Sequence, residues 1–309
     1  MLDALMVVGG SVLTLFLLMS VGFLFGKLGL LSGGTLSQVS RILLYVVTPC
    51  IMINSFEVER TAETQGQFVS ALTVMIAVYI LYMVLSQLLF PREGLEHRGI
   101  FRFAAVYGNA GFMGLPLIQS ALGDSAMISA VVGLAVFNTV TWTQGRALMG
   151  GRSELSLKKL ALNPGILGFV GGLLLFFTGW RPPHPVDAAI GYLGSMNTPL
   201  AMVVIGGQMA QANLGEVFST KRLYLVSAVK LLCIPLLTAL ILLPFRLDWM
   251  VYVAAVILAG CPTAGATSLF AQSMGKDAAL AARQITLSTL LCIVTLPVMA
   301  VLAQLLAAG

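Results

Sequence analysis

The chain has 309 residues, of which 58% are hydrophobic and 9% charged, with a net charge of +5. A water-soluble protein covers its surface with roughly 25% charged residues, so the composition excludes one and describes an all-α integral membrane protein with many crossings. The positive excess lies in short segments between apolar runs, which excludes a nucleic-acid-binding face and fits loop topology instead.

In chain order, windows of about 20 apolar residues predict ten spans: 4–26, 35–56, 67–90, 100–122, 125–146, 162–180, 186–210, 222–244, 249–274 and 278–306. The first follows Met-Leu-Asp and runs from Ala4 to Gly26. It is too long for a signal-peptide core and lacks both a basic leader and a small-residue cleavage site, so it reads as an uncleaved span. Turn and cap residues separate most spans: Ser32-Gly33-Gly34, Pro91-Arg92-Glu93, Gly123-Asp124 and Arg181-Pro182-Pro183. Loops after odd-numbered spans carry or abut Lys27, Arg92, Arg98, Arg102, Arg146, Arg152, Lys158, Lys159, Lys221, Arg222 and Lys276, eleven cations against Arg60, Arg181 and Arg246 on the other side. The asymmetry predicts odd loops in the cytoplasm, both termini extracytoplasmic, and residence in the cell (cytoplasmic or inner) membrane.

The two halves, 1–150 and 151–309, echo one another. Thr48-Pro49 recurs as Thr198-Pro199 at a spacing of 150, and Gln119-Ser120 with Asp124 recurs as Gln272-Ser273 with Asp277 at 153. Five spans per half is an odd number, so the second half must enter the membrane inverted, an arrangement of secondary transporters with sites near the midplane.

Two spans are interrupted at matching places. Residues 107–116, Tyr-Gly-Asn-Ala-Gly-Phe-Met-Gly-Leu-Pro, break span 4, and residues 260–268, Gly-Cys-Pro-Thr-Ala-Gly-Ala-Thr-Ser, break span 9. A break in hydrocarbon frees backbone groups at several kcal/mol each, so it persists where it lines an enclosed or watery cavity. The 153 spacing sets Asn109 opposite Pro262. Gly108, Gly111, Gly114 and Pro116 open the first break, and Gly260, Pro262 and Gly265 the second. Asn109, Thr263, Thr267 and Ser268 sit inside the breaks as candidate ligands, where helix N-termini favour an anion. The competing reading has these hydroxyls bonding their own helices. Gly22 with Gly26, and Gly168 with Gly172, read as close-packing positions.

Asp124, Asp187 and Asp277 stand at helix starts as N-caps, which leaves no central carboxylate for a proton relay. Arg41 and Arg283 lie near cytoplasmic ends and snorkel; Lys230, deeper in span 8, either snorkels or faces an aqueous path. Asn54, Asn138, Gln144 and Gln208 could line that path, with Gln119 and Gln272, one turn beyond the breaks, ahead of them. Cys50, Cys233, Cys261 and Cys292 show no metal or redox spacing and read as small buried hydrophobes. His97 and His184 fall in loops away from any nucleophile, which argues against an enzyme.

Asn109, Gly114 and Pro116 in an Asn-x-x-x-x-Gly-x-Pro pattern, Pro49 in span 2, the Lys230-to-Pro235 stretch and the Pro262 break resemble the auxin efflux carrier family. That family includes plant PIN-type carriers and bacterial permeases for malate, malonate and related acids. The resemblance implies broken helices 4 and 9 crossing at the substrate site, spans 3–5 and 8–10 as a moving transport domain, spans 1, 2, 6 and 7 as a dimerising scaffold, and elevator-like transport. In place of the plant members' long central hydrophilic loop this chain has a short basic one at 147–161, so the bacterial type is the better match.

The resulting expectation is a permease for a small organic anion, a carboxylate such as malate or malonate or an auxin-like acid, acting as a homodimer in the bilayer. Asn109 and Thr263 would touch the cargo. Gly111, Gly114, Pro116 and Pro262 would shape the site, beside Gln119, Thr267, Ser268 and Gln272, with Asn54, Asn138 and Lys230 accessory. No cofactor is expected; coupling to Na⁺ or H⁺ is open. A channel-like pore and a transporter-derived sensor are the alternatives, though neither a ring of charge nor a carbonyl filter repeat is present for the former.

Overall fold

The computed structural model describes residues 2–151, 158 and 161–308. Arg152 and Lys159 of the basic loop at 147–161 therefore lie outside the described residues. The described chain is helical apart from its turns: α1 (Leu2–Lys27), α2 (Gly33–Ser55), α3 (Ala62–Leu88), α4 (Leu95–Val106), α5 (Ala110–Leu122), α6 (Asp124–Gly150), α7 (Pro164–Thr178), α8 (His184–Gln211), α9 (Leu214–Ser219), α10 (Lys221–Phe245), α11 (Trp249–Gly260), α12 (Ala266–Ser273) and α13 (Ala278–Ala308). Seven of these, α1, α2, α3, α6, α8, α10 and α13, are long and apolar enough to cross a membrane. The protein is accordingly a multi-pass membrane protein. The other three predicted spans map onto shorter pieces: 100–122 onto α4 and α5, 162–180 onto the 15-residue α7, and 249–274 onto α11 and α12.

Side chains of the residues just before the helices set several starts. Ser32 Oγ accepts from Thr35 N at 3.1 Å, Thr61 and Thr64 form a reciprocal capping box, Asn163 Oδ1 accepts from Ile166 N at 3.2 Å, and Asp248 Oδ1 accepts from Met250 N at 3.0 Å. Each satisfies an otherwise orphaned first-turn donor. Of the three aspartates expected as caps, only Asp277 acts as one, accepting from Leu280 N at 2.7 Å. Asp124 and Asp187 lie inside first turns; Asp124 accepts from Gln119 Nε2 at 3.0 Å, and Asp187 faces Glu57. His97 and His184 are likewise in the first turns of α4 and α8, not in loops.

Three prolines within helices follow wide π-type turns. Such turns at Leu43–Val47, Ala110–Gly114 and Val229–Cys233 each precede a proline, Pro49, Pro116 and Pro235. Proline cannot donate to the carbonyl four residues back and its ring crowds that turn, and the wider turn relieves both. Lys230 lies in the last of the three.

Glycines bring helices into backbone contact, as their spacing predicted. A Cβ at Gly22 or Gly206 would overlap the backbone of Val203 or Met19, which fixes α1 against α8; a Cβ at Gly172 would stand 3.0 Å from Met52 O, fixing α7 against α2. Without a hydrophobic force between helices in lipid, such close packing supplies much of the attraction. Two cysteines depart from the buried expectation: Cys233 is exposed and Cys50 half-buried, whereas Cys261 and Cys292 are buried. The outward face of a membrane helix is as apolar as its inward face, so hydrophobic neighbours do not reveal which way a small residue points.

The loops gather into two groups. Arg181 Nη1 donates to Glu57 O at 2.7 Å, Arg60 Nη1 to Phe177 O at 3.0 Å, and Gln67 Nε2 to Ser125 O at 3.0 Å, joining segments after the even-numbered predicted spans. Segments after odd-numbered spans join elsewhere: Arg222 pairs with Glu93, Arg283 Nη1 with Glu216 Oε2 at 2.8 Å, and His97 stands 4.0 Å from Asp277.

Candidate functional site

The two interruptions meet each other. α4 stops when Tyr107 turns extended (φ −96°, ψ 108°), and α11 stops when Cys261 does the same (φ −59°, ψ 145°). Gly108 and Thr263 then form an antiparallel β-bridge. Asn109 N donates to Pro262 O at 2.7 Å, and Ala264 N donates to Tyr107 O at 3.0 Å. Backbone groups that hydrocarbon would leave orphaned are thereby satisfied by the opposite break. The residue that the repeat spacing set opposite Asn109 is its hydrogen-bond partner.

Thr263 is wholly buried and both of its polar groups are engaged: Oγ1 donates to Ala104 O at 3.1 Å, and N donates to Ser288 Oγ at 3.1 Å. Thr267, also buried, donates to Ala264 O at 2.7 Å. Thr263 thus ties the second break to α4 and α13, whereas Thr267 bonds only its own segment, as the competing reading had it. Asn109 is placed differently. Its Oδ1 caps α5 by accepting from Phe112 N at 3.2 Å, the side chain is half-buried, and Nδ2 has no hydrogen-bond partner among the described residues. Ser268 is half-buried beside the exposed Gly265. The first turn of α5 packs against the Asn197–Gln211 part of α8, so Asn109 lies close to the boundary between the crossing helices and the α1–α8 pair.

The shaping residues divide by position. Gly114 admits Leu258, whose Cδ2 would lie 2.5 Å from a Cβ there, so α5 can nest on α11; Gly111 is half-buried against Leu134. Pro116 is buried behind its π-type turn, and Pro262 contributes its carbonyl to the bridge.

Lys230 is the residue whose importance the sequence left open between two readings. It does not snorkel: the side chain is fully buried and Nζ donates to Ala259 O at 2.6 Å, at the C-terminal end of α11. A Cβ on Gly108 would be 2.9 Å from Nζ, which puts the ammonium directly beside the bridge.

Several candidates lie elsewhere. Gln119 and Gln272 are exposed on opposite faces, the first hydrogen-bonded to Asp124, the second beside the Asp277 loop, and the structure does not bring them together. Asn138 packs at Gly165, where a Cβ would be 2.5 Å from its Nδ2. Gln208 is exposed. Gln144 accepts from the Tyr107 hydroxyl and donates to Ser86 Oγ at 3.0 Å, bracing the crossing from behind. Asn54 donates to Glu57 Oε2 at 3.3 Å in a separate polar cavity of about 500 Å³ lined also by Gln119, Asp124, Arg181, His184 and Asp187. Burial pushes the Glu57 carboxyl above its ordinary range, and the neighbouring Asp187 carboxyl adds to this against the smaller opposing effects of Asn54 and Arg181. Ser288 and Ala259 were not foreseen; a serine in an apolar run and a backbone carbonyl carry no sequence signal of their partner.

The family model described as "Membrane transport protein" matches residues 7–158 and 152–300. A Rhizobium meliloti protein named "Putative malonate transporter" is 27% identical over 300 residues, covering 93% of this chain and 92% of the relative. A Methanothermobacter thermautotrophicus protein named "Uncharacterized transporter" is 25% identical over 301 residues, covering 94% and 97%. With the family model spanning nearly its whole length, the chain belongs to the membrane transport protein family, to which the auxin efflux carrier resemblance of its motifs pointed.

Proposed function

We propose that the protein is a permease that carries a small carboxylate, of the malonate or malate kind, through a site at the crossing of the two interruptions. The observation that carries this reading is the unpartnered amide of Asn109, set on a backbone bridge beside a buried ammonium. Asn109 Nδ2 would donate to the carboxylate, the Lys230 charge would favour an anion nearby, and Ser268 would offer a hydroxyl from the second break. Thr263 would keep the bridge closed around them. The malonate relative at 27% identity supports the substrate class.

In the same proposal α4 with α5, and α11 with α12, are the fourth and ninth of ten spans in two inverted halves, 1–150 and 151–309. The gathering of even and odd loops into two groups supports that parity. Spans 3–5 and 8–10 would move as a transport domain against a scaffold of spans 1, 2, 6 and 7 that pairs with a second copy in the cytoplasmic membrane, both termini outside.

The test is uptake of radiolabelled malonate and malate into proteoliposomes by Asn109→Asp. The aspartate keeps the cap on Phe112 N but presents negative charge to the cargo. Uptake should fall at least about tenfold, a loss of roughly 1.4 kcal/mol, while the melting temperature stays near that of the parent. Undiminished uptake of both acids would remove Asn109 from the site.

A further inference from the structure

A helix that ends inside a membrane presents carbonyls carrying partial negative charge. In carriers such half-helix C-termini and unwound carbonyls are where a coupling Na⁺ binds. At the end of α11 that position is filled from within the chain, by Lys230 Nζ on Ala259 O at 2.6 Å. Several other carbonyls around the interruptions are also engaged. Ile257 O accepts from Cys261 Sγ at 3.3 Å, Leu258 O from Cys261 N at 3.4 Å, Gly108 O from Ala110 N at 2.9 Å and Ala104 O from Thr263 Oγ1 at 3.1 Å. Tyr107 O and Pro262 O are used by the bridge itself. The π-type turn at Val229–Cys233 carries Lys230, and Gly108 leaves the space its ammonium fills.

Among the described residues no aspartate or glutamate pairs with Lys230. An ammonium buried without a counter-ion is costly, and charges kept inside a membrane at such cost mark function. We infer that the Lys230 ammonium is a tethered substitute for a coupling cation at the broken end of α11, so that this carrier moves its anion without Na⁺. The inference rests on the carrier reading above for its transport consequence, while the occupancy of the cation position is testable by itself.

The experiment compares melting of the purified protein in NaCl, choline chloride and methylammonium chloride at equal ionic strength, for the parent and for Lys230→Ala. The parent should melt at one temperature in all three salts, and its malonate uptake should not change when choline replaces Na⁺. Lys230→Ala should melt lower in choline chloride and recover by several degrees when Na⁺ or methylammonium can enter the vacated space. A Na⁺-specific rise in the parent, or a variant that recovers in neither salt, overturns the inference. If Lys230→Ala yields no folded protein, the parent's response to Na⁺ decides alone. Absence of carboxylate uptake by the parent in every salt would instead sink the carrier reading and leave the melting comparison standing.

Discussion

Gly108→Ala is the sharpest structural test of the crossing. Built on the existing backbone, the new Cβ would stand 2.9 Å from Lys230 Nζ and 3.1 Å from both Lys230 Cε and Cys261 O. The carbonyl cannot retreat, because Cys261 leads into the bridged Pro262 and Thr263; the lysine must. Overfilling a packed interior costs about 1–3 kcal/mol, and forcing an ammonium off its carbonyl removes a charge-assisted bond of about 1.5–3 kcal/mol. The total is about 2.5–6 kcal/mol, which at roughly 2 °C per kcal/mol for a chain of this length lowers the melting temperature by about 5–12 °C. Gly265→Ala is the control within the other break. Gly265 already has helical geometry (φ −58°, ψ −25°) and no atom lies within 4 Å of a built Cβ, so alanine should be neutral or stabilise by about 0.4–1 kcal/mol through the unfolded chain. Tryptophan-fluorescence melts in detergent read both. A Gly108→Ala protein within about 2 °C of the parent, or a Gly265→Ala protein that falls as far as Gly108→Ala, would refute the argument from close approach.

Two further outcomes follow from the same geometry. Ser288→Ala strands the buried Thr263 N–H and should cost about 1–3 kcal/mol, read as a lower melting temperature; no change would mean that the donor finds another acceptor. Glu57 tests the rim of the polar cavity. Its carboxyl is raised above the ordinary range, so its contribution to stability is complete below the unfolded-state value and is lost as pH rises through the folded-state value. Glu57→Gln should therefore melt higher than the parent at neutral pH and converge with it in acid, and parallel melting curves across pH would contradict the assigned burial.

Much of this was legible in the chain. Hydropathy located the helices because a bilayer demands length and apolarity, and the two breaks stood out because glycine and proline cannot be hidden in such a run. The spacing of 153 even paired Asn109 with its partner Pro262. What the chain did not reveal was direction. Asn109 and Thr263 are polar residues of the two paired breaks, yet Thr263 turns inward to Ala104 and Ser288 while Asn109 leaves an amide free, a difference set by tertiary contacts 25 and 159 residues away. Lys230 is the same case: a cation about two turns into an apolar helix could reach for either water or carbonyl, and only the approach of α11 decides it. Asp187 looked sufficient as a helix-start residue, and its nearness to Glu57 depends on α8 folding back against α2.

The backbone bridge between Gly108 and Thr263 also governs how the molecule can move. Pulling α5 away from α12 would strand the Asn109 and Ala264 amides and two carbonyls in a medium that offers no replacement, at several kcal/mol each. Sliding the joined pair past α8 strands none of them. The interruptions, which on a hydropathy plot look like weak points where the helices could flex, are therefore a rivet that resists separation of the two breaks.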